Sequence, residues 1–140
     1  MSKIGPRDVA AVLYGLPFIY VGVMHFVDPE LFMTIMPPYF GAPKFWVLLT
    51  GVTEAGLGLA IMHRSSRNWA ASWMIVQLGF LYLANLNMWI NNITFDGMTF
   101  GHGWHVGRLI AQIALAVMAA AIGQLGPFAA QPGEQHSIGP

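Results

Sequence analysis

Apolar residues fall into four long runs along the chain, with short polar stretches between them. Each run is close to the roughly 20 residues that a helix needs to cross the hydrocarbon core of a bilayer. The predicted spans run approximately over Asp8–Val27, Lys44–Met62, Asn68–Asn91 and Trp104–Leu125. This pattern predicts an all-α integral membrane protein, folded as an up-down-up-down four-helix bundle.

A shorter apolar segment, residues 28–38, follows the first span. Asp28 is a favourable N-cap, Pro29 suits the first turn of a helix, and the Pro37-Pro38 pair ends any helix that forms. The segment is too short to cross a bilayer. We therefore predict a short helix in the membrane interface after the first span.

Composition agrees with a membrane protein. The chain has 56% hydrophobic and 9% charged residues and a mean hydropathy of +0.57, whereas soluble domains average about 25% charged residues. The net charge of zero, without a basic run, argues against nucleic acid as a partner. The absence of cysteine excludes a disulfide, a thiolate metal site and a cysteine nucleophile. We expect residues 1–126 to form one membrane domain and residues 127–140 to form a polar, disordered tail.

Basic residues are distributed unevenly between the two ends of the predicted bundle. Lys3 and Arg7 precede the first span, and Arg64 and Arg67 lie between the second and third spans, whereas Lys44 stands alone on the other side. By the positive-inside rule, this bias predicts that both termini are cytoplasmic.

Glu54 is the only charged residue in the apolar run from Phe45 to Met62. A carboxylate at that depth costs about 2.5–3.5 kcal/mol on insertion scales unless it is neutral, paired or facing a polar cavity. Arg108 is the only Lys or Arg inside a predicted span, so we expect it to approach Glu54 within salt-bridge distance or the distance of one bridging water. Such a pair can merely fix helix register, but intramembrane ionisable residues are also candidate functional sites.

Further polar side chains are expected at the same depth as Glu54. His105, Arg108 and Gln112 are spaced i, i+3 and i+7, and therefore share one face of the fourth span. His25 ends the first span and Asn85 lies toward the same side of the third, while Asn87 points nearly opposite to Asn85 and stays unassigned. The sequence thus predicts a ligand-binding pocket in the outer half of the bundle, formed by His25, Glu54, Asn85, His105, Arg108 and Gln112.

The histidines leave a second kind of site open. His102 and His105, together with His25 and Glu54, are ligand types that suit zinc, copper or non-haem iron. Haem ligation by His25 and His105 is a further alternative.

Small residues recur on two of the predicted spans and are expected to allow close helix packing or a subunit contact. They are Gly103, Gly107 and Ala111 on the fourth span and Gly51, Ala55, Gly56, Gly58 and Ala60 on the second.

Four segments together resemble the DoxX-like family of small membrane proteins. They are Gly22-Val23-Met24-His25-Phe26 followed by Pro29, Phe32 and Pro37; Gly51-Val52-Thr53-Glu54 with Gly56 and Gly58; Ala84-Asn85-Leu86-Asn87-Met88; and Arg108-Leu109-Ile110-Ala111-Gln112. His102, His105 and the Trp- and Asn-rich end of the third span depart from the family pattern. The resemblance implies a multi-pass protein of the bacterial inner membrane. Its relatives include small subunits of thiosulfate:quinone oxidoreductase, partners of other redox membrane complexes, and a receptor-assembly chaperone in animals.

Two functions are compatible with these features. The first is a small membrane subunit of a quinone-linked redox complex, in which the polar side chains donate hydrogen bonds to a quinone and Glu54 relays protons. Such a subunit is expected to act with a partner protein or as a homo-oligomer. The second is a non-catalytic assembly or ligand-binding subunit in which the same pocket has no part in catalysis.

Overall fold

The computed structural model describes residues 3–130, and within them the regular structure is helical, without a β-strand. The α-helices are α1 Pro6–Val27, α2 Pro29–Met33, α3 Pro43–Met62, α4 Arg67–Ile90 and α5 His102–Gly123. Two short 3₁₀ turns cover Pro38–Phe40 and Gly126–Phe128. Residues 131–140, which make up most of the predicted polar tail, lie outside the described residues.

Helices α1, α3, α4 and α5 are long and apolar enough to cross a membrane. Their ends lie within two residues of the ends predicted from hydropathy; the largest differences are at α1, which begins at Pro6, and at α5, which runs from His102 to Gly123. The prediction of four membrane-crossing helices is therefore confirmed by length and composition. These helices indicate a multi-pass membrane protein.

The short helix predicted after the first span is present as α2. Asp28 is the last cap residue of α1. It also begins α2, because its Oδ1 accepts a hydrogen bond from the Leu31 backbone N–H at 3.2 Å. Pro29 occupies the first turn, where a missing N–H costs nothing. The chain then returns toward the bundle through the Pro37-Pro38 pair and enters α3 at Pro43.

Helices α1 and α3 approach each other so closely that their backbones touch. A Cβ atom added to Gly22 would lie 2.7 Å from the Gly51 carbonyl oxygen, and one added to Gly51 would lie 2.7 Å from the His25 Cβ. Gly15 and Gly58 form a second contact of the same kind. No side chain fits at these four glycines, so α1 and α3 form one tightly packed pair, in which His25 borders α3.

The remaining helices pack mainly as a second pair, α4 with α5, while α1 and α5 meet at only a few residues. The core between the pairs includes Tyr14, Ile61 and Met74. Gly103 and Gly107, which were expected to pack closely, have no atom within 4 Å of an added Cβ. These two glycines face outward from the described chain.

Charged residues join the helices at one end of the bundle, which we call the Arg67 end. Asp8 accepts hydrogen bonds from Arg64 and, at 3.1 Å, from Arg67. Arg7 donates from Nε to the Ile122 carbonyl at 2.6 Å. These contacts connect the start of α1 to the α3–α4 loop and to the end of α5. The Asp8 carboxylate also raises the pKa of Arg64.

Candidate functional site

A cavity of about 280 Å³ lies in the half of the bundle away from the Arg67 end. We call it the Glu54 cavity. Its polar lining consists of His25, Thr50, Glu54, Asn85, Arg108 and Gln112, and its aromatic lining of Phe18, Phe32, Phe40, Phe80 and Phe95. Five of the six residues predicted for a pocket therefore border one cavity, and His105 does not.

Glu54 lies in the middle of α3, and its side chain is only 4% exposed. Its Oε2 atom is buried and has no hydrogen-bond partner among the described residues. A buried polar atom left in this state costs about 1–3 kcal/mol. The carboxyl group is therefore kept at this position at a cost to stability, and it borders the cavity.

His25 is the titratable neighbour of Glu54. Its Nδ1 lies 3.6 Å from Glu54 Oε2, too far for a hydrogen bond, and 2.8 Å from the Val21 carbonyl oxygen. Because a carbonyl oxygen only accepts hydrogen bonds, Nδ1 carries the ring proton and donates a hydrogen bond to the Val21 carbonyl. The ring also stacks on Phe32, with centroids 3.9 Å apart. His25 is thus held by its own helix and by α2, beside an acid to which it is not hydrogen-bonded.

Arg108 forms no direct salt bridge with Glu54, the closer of the two arrangements that the sequence predicted. No carboxylate lies within 4 Å of its guanidinium in the part of the chain that is described. Its Nη1 instead donates to Asn85 Oδ1 at 3.1 Å, and its guanidinium lies 4.9 Å from the Phe100 ring centroid. The reason is helix pairing, because α5 packs on α4 and thus brings Arg108 to Asn85. Arg108 and Glu54 still border the same cavity.

Two amides connect the helices around the cavity. Gln112 donates from Nε2 to the Leu78 carbonyl at 2.5 Å, joining α5 to α4. Asn87, which the sequence left unassigned, is buried and donates from Nδ2 to the Ile35 carbonyl at 2.9 Å. Its Oδ1 accepts from Asn91 at 2.8 Å. Asn87 therefore attaches the segment after α2 to α4, a role that depends on how this segment folds back.

Two connecting segments, residues 28–41 and 91–100, cover the cavity at the end of the bundle opposite the Arg67 end. Phe32 from the first segment and Phe95 from the second meet edge to face at 6.1 Å, and both line the cavity. Phe40 packs against Trp46 and Phe80 at 5.5 and 5.4 Å. We call this cover the aromatic cap. Phe32, Phe40 and Phe95 are not among the residues predicted for the site, although their positions in the two connecting segments are visible in the sequence.

His105 and His102 belong to a layer beside the cavity. His105 is buried and stacks on Trp89 with centroids 5.4 Å apart, and it meets Phe100 edge to face at 6.5 Å. His102, on the outer surface of α5, accepts a hydrogen bond on Nδ1 from Trp89 Nε1 at 2.8 Å. Both imidazoles therefore pack with aromatic residues and lie outside the lining of the Glu54 cavity.

Within residues 3–130, no three His, Asp or Glu side chains are grouped closely enough to hold a metal ion. His25 and Glu54 form one pair, and His102 and His105 lie with Trp89. The structure thus does not bring together the four ligands considered for a metal site. Haem ligation by His25 and His105 is unsupported, because only His25 borders the cavity.

Residues 14–123 match a family described as a domain of unknown function, DUF8561. The match covers most of the chain, and the protein belongs to this family. No curated protein and no solved structure matches the chain.

Proposed function

We propose that this protein is a small membrane subunit of a quinone-linked redox complex and that the Glu54 cavity binds the quinone ring. One observation carries the proposal: the buried, unpartnered Glu54 oxygen borders the same cavity as Arg108, whose guanidinium contacts no carboxylate in the described chain. A ligand with one oxygen toward Arg108 and another toward Glu54 gives both groups a partner. A quinone has two such oxygens on opposite sides of a flat ring.

The cavity has a suitable size and lining for this ligand. An apolar cavity of about 150 Å³ holds a benzene molecule, so about 280 Å³ accommodates a substituted six-membered ring. Phenylalanine rings form much of the wall, and aromatic rings stack well on a flat ring. Arg108 supplies an N–H donor for one carbonyl, and Glu54 in its protonated form supplies an O–H donor for the other.

The chemistry requires a partner. Reduction of a quinone to a quinol takes up two electrons and two protons. The proposal assigns the electrons to a partner subunit that carries a flavin or metal cofactor; this chain itself has no cysteine with which to hold an iron–sulfur cluster. Glu54 and His25 are two protonatable groups beside the ring, and they pass protons between it and the membrane surface.

The proposed setting is a bacterial inner membrane, in which the helices alternate in direction and both termini face the cytoplasm. The Arg67 end then lies at the cytoplasmic surface, where basic residues concentrate. Helix α2 and the aromatic cap lie at the outer interface, a usual place for aromatic side chains. The resemblance of the four spans to DoxX-like proteins supports the same class.

A non-catalytic ligand-binding or assembly subunit is the second candidate. It is favoured by the intrahelical hydrogen bond between His25 and the Val21 carbonyl, which holds the imidazole away from Glu54. A fixed imidazole shapes a pocket without moving protons. Electron transfer in the purified complex separates this candidate from the first, because both predict ligand binding.

The proposal is tested by extracting quinones from the purified protein and by titrating quinone-free protein with a short-tailed benzoquinone. Glu54→Leu removes the O–H donor, and Ala84→Leu fills part of the cavity wall. We expect each change to weaken binding at least tenfold, which corresponds to about 1.4 kcal/mol. The free energy of unfolding should not fall for Glu54→Leu, because Oε2 has no hydrogen bond to lose.

Two matched variants control for general disturbance. Ala114→Leu places the same side chain on an exposed position of α5, and His105→Phe keeps an aromatic ring against Trp89 outside the cavity. Both should bind like the unmodified protein. Equal loss in Ala84→Leu and Ala114→Leu, or no quinone binding by the unmodified protein, contradicts the proposal.

A further inference from the structure

A second cavity, of about 240 Å³, opens between α1 and α5. Its lining is Leu13, Tyr14, Pro17, Phe18, Val21, Glu54, Leu115 and Met118. We call it the α1–α5 groove. Leu13 and Met118 are 67% and 49% exposed on the outer surface of helices that can cross a membrane, so the groove opens toward the lipid.

The groove and the Glu54 cavity are neighbours with a common wall. Phe18, Val21, Glu54 and Leu115 line both of them. Glu54 is the only charged residue among these four, and it therefore stands where the lipid-facing groove meets the polar cavity. The lipid-facing groove is therefore separated from the polar groups around Glu54 only by these four side chains.

Hydrogen bonds join α1 and α5 only on one side of the wall that the groove shares with the Glu54 cavity. Tyr14 donates its hydroxyl to the Leu115 carbonyl at 2.8 Å, and Arg7 binds the end of α5. All the hydrogen bonds from α1 to α5 or its C-cap among the described residues come from Arg7 and Tyr14, so there is none beyond Tyr14 toward His25. Helix α1 packs mainly on α3, and α5 packs mainly on α4. Helices α1 and α5 can therefore border the groove while each keeps its contacts with its own partner helix.

We propose that the α1–α5 groove is the lateral entrance to the site and that it holds the isoprenoid tail of the quinone whose ring occupies the Glu54 cavity. This inference rests on the proposed function. The occupant follows from the distribution of polar atoms: the groove is apolar except for the Tyr14 hydroxyl, which is already bonded, and Glu54 at its inner end. A molecule that occupies both the Glu54 cavity and the groove must therefore have its polar group at Glu54 and an apolar chain pointing to the lipid.

The tail gains little free energy by leaving lipid for an apolar groove, because the two surroundings are similarly apolar. The position of the bound tail is therefore a better test of the proposal than the affinity of the quinone. The probe is a benzoquinone with a photoreactive group on the first unit of its tail, added to the full-length protein in nanodiscs, followed by irradiation and peptide mass spectrometry. We expect labels on α1 and α5 at groove residues such as Leu13, Pro17 and Met118, and loss of labelling when tailless benzoquinone competes.

The matched variants are Leu13→Trp, which fills the groove, and Leu16→Trp, which adds the same bulk at an exposed position outside it. Leu13→Trp should reduce labelling at least fivefold and leave binding of the tailless ring unchanged, whereas Leu16→Trp should change neither. Labels on residues 28–41 or 91–100 while the ring still binds would overturn the lateral entrance and leave the proposed function intact. Failure of the tailless ring to bind would instead overturn the proposed function.

Discussion

At the scale of single residues, Glu54 and Asn87 differ in what the sequence could reveal. A charge inside an apolar run is visible without a structure, so the sequence alone identifies Glu54 as a candidate site residue. The contacts of Arg108 are not predictable in this way, because depth along a helix does not say which helices are neighbours, and Arg108 meets Asn85. Asn87 was missed for a related reason: its acceptor, the Ile35 carbonyl, lies in a connecting segment whose path no periodicity predicts.

The hydrogen bond from Asn87 gives a prediction for the aromatic cap. Asn87→Leu leaves the Ile35 carbonyl without its donor, which should lower the free energy of unfolding by about 1–3 kcal/mol. Limited proteolysis should then cut within residues 28–41 faster than in the unmodified protein. Asn91→Ala removes the hydrogen bonds from the Asn91 side chain to the Asn87 backbone and side chain but leaves the bond to Ile35, so it should have a smaller effect on both measurements. Equal rates of cleavage in the two variants would show that Asn87 does not hold this segment.

At the scale of helices, hydropathy predicted the ends of the spans, because apolar length and the residues at helix ends are local properties. Helix pairing was harder to predict. Gly15 and Gly22 on α1, and Gly51 and Gly58 on α3, are each spaced by seven residues and so return to one helix face. A stripe of small residues on α5 is equally visible in the sequence, but its Gly103 and Gly107 face outward from the described chain. Spacing alone therefore does not distinguish a packed stripe from an exposed one.

The close packing of α1 on α3 is tested with two alanine substitutions. Gly51→Ala places a Cβ 2.7 Å from the His25 Cβ, so we expect the free energy of unfolding to fall by about 1–3 kcal/mol, the usual cost of overpacking. Gly56→Ala lies on the same helix with no atom within 4 Å of the added Cβ, and should be neutral or stabilising by up to about 1 kcal/mol. Thermal unfolding in one detergent measures both. A loss at Gly56 as large as that at Gly51 would argue against backbone contact as the cause.

At the scale of the whole molecule, the two ends of the bundle differ in chemistry. Arginine and aspartate join the helices at the Arg67 end, while aromatic rings cover the other end. The charge bias was readable from the sequence because the positive-inside rule needs only the order of spans and loops. The cavity could be expected only as a convergence of polar residues, since its volume and its aromatic cap depend on how the connecting segments fold over the helix ends.

The proposed orientation predicts the labelling of introduced cysteines, for which the chain offers a background free of cysteine. Ser65→Cys, between α3 and α4, should react with a membrane-impermeant maleimide only after the cells are opened. Tyr39→Cys, at a position that is 74% exposed beside the aromatic cap, should react in cells whose outer membrane alone is permeabilised. The reverse pattern would invert the orientation.

The position of Asp8 has a consequence for how the protein is made. Asp8 leaves the ribosome before its partners, because Arg64 and Arg67 follow 56 and 59 residues later and the carbonyl that Arg7 binds follows after 115. At about 5–20 residues per second, α1 waits several seconds for the first of these contacts. During that interval an acid and an arginine at the start of α1 have no long-range partner. The contacts that hold the start of α1 therefore form only after the α3–α4 loop has been made, and the last of them only when the end of α5 is in place.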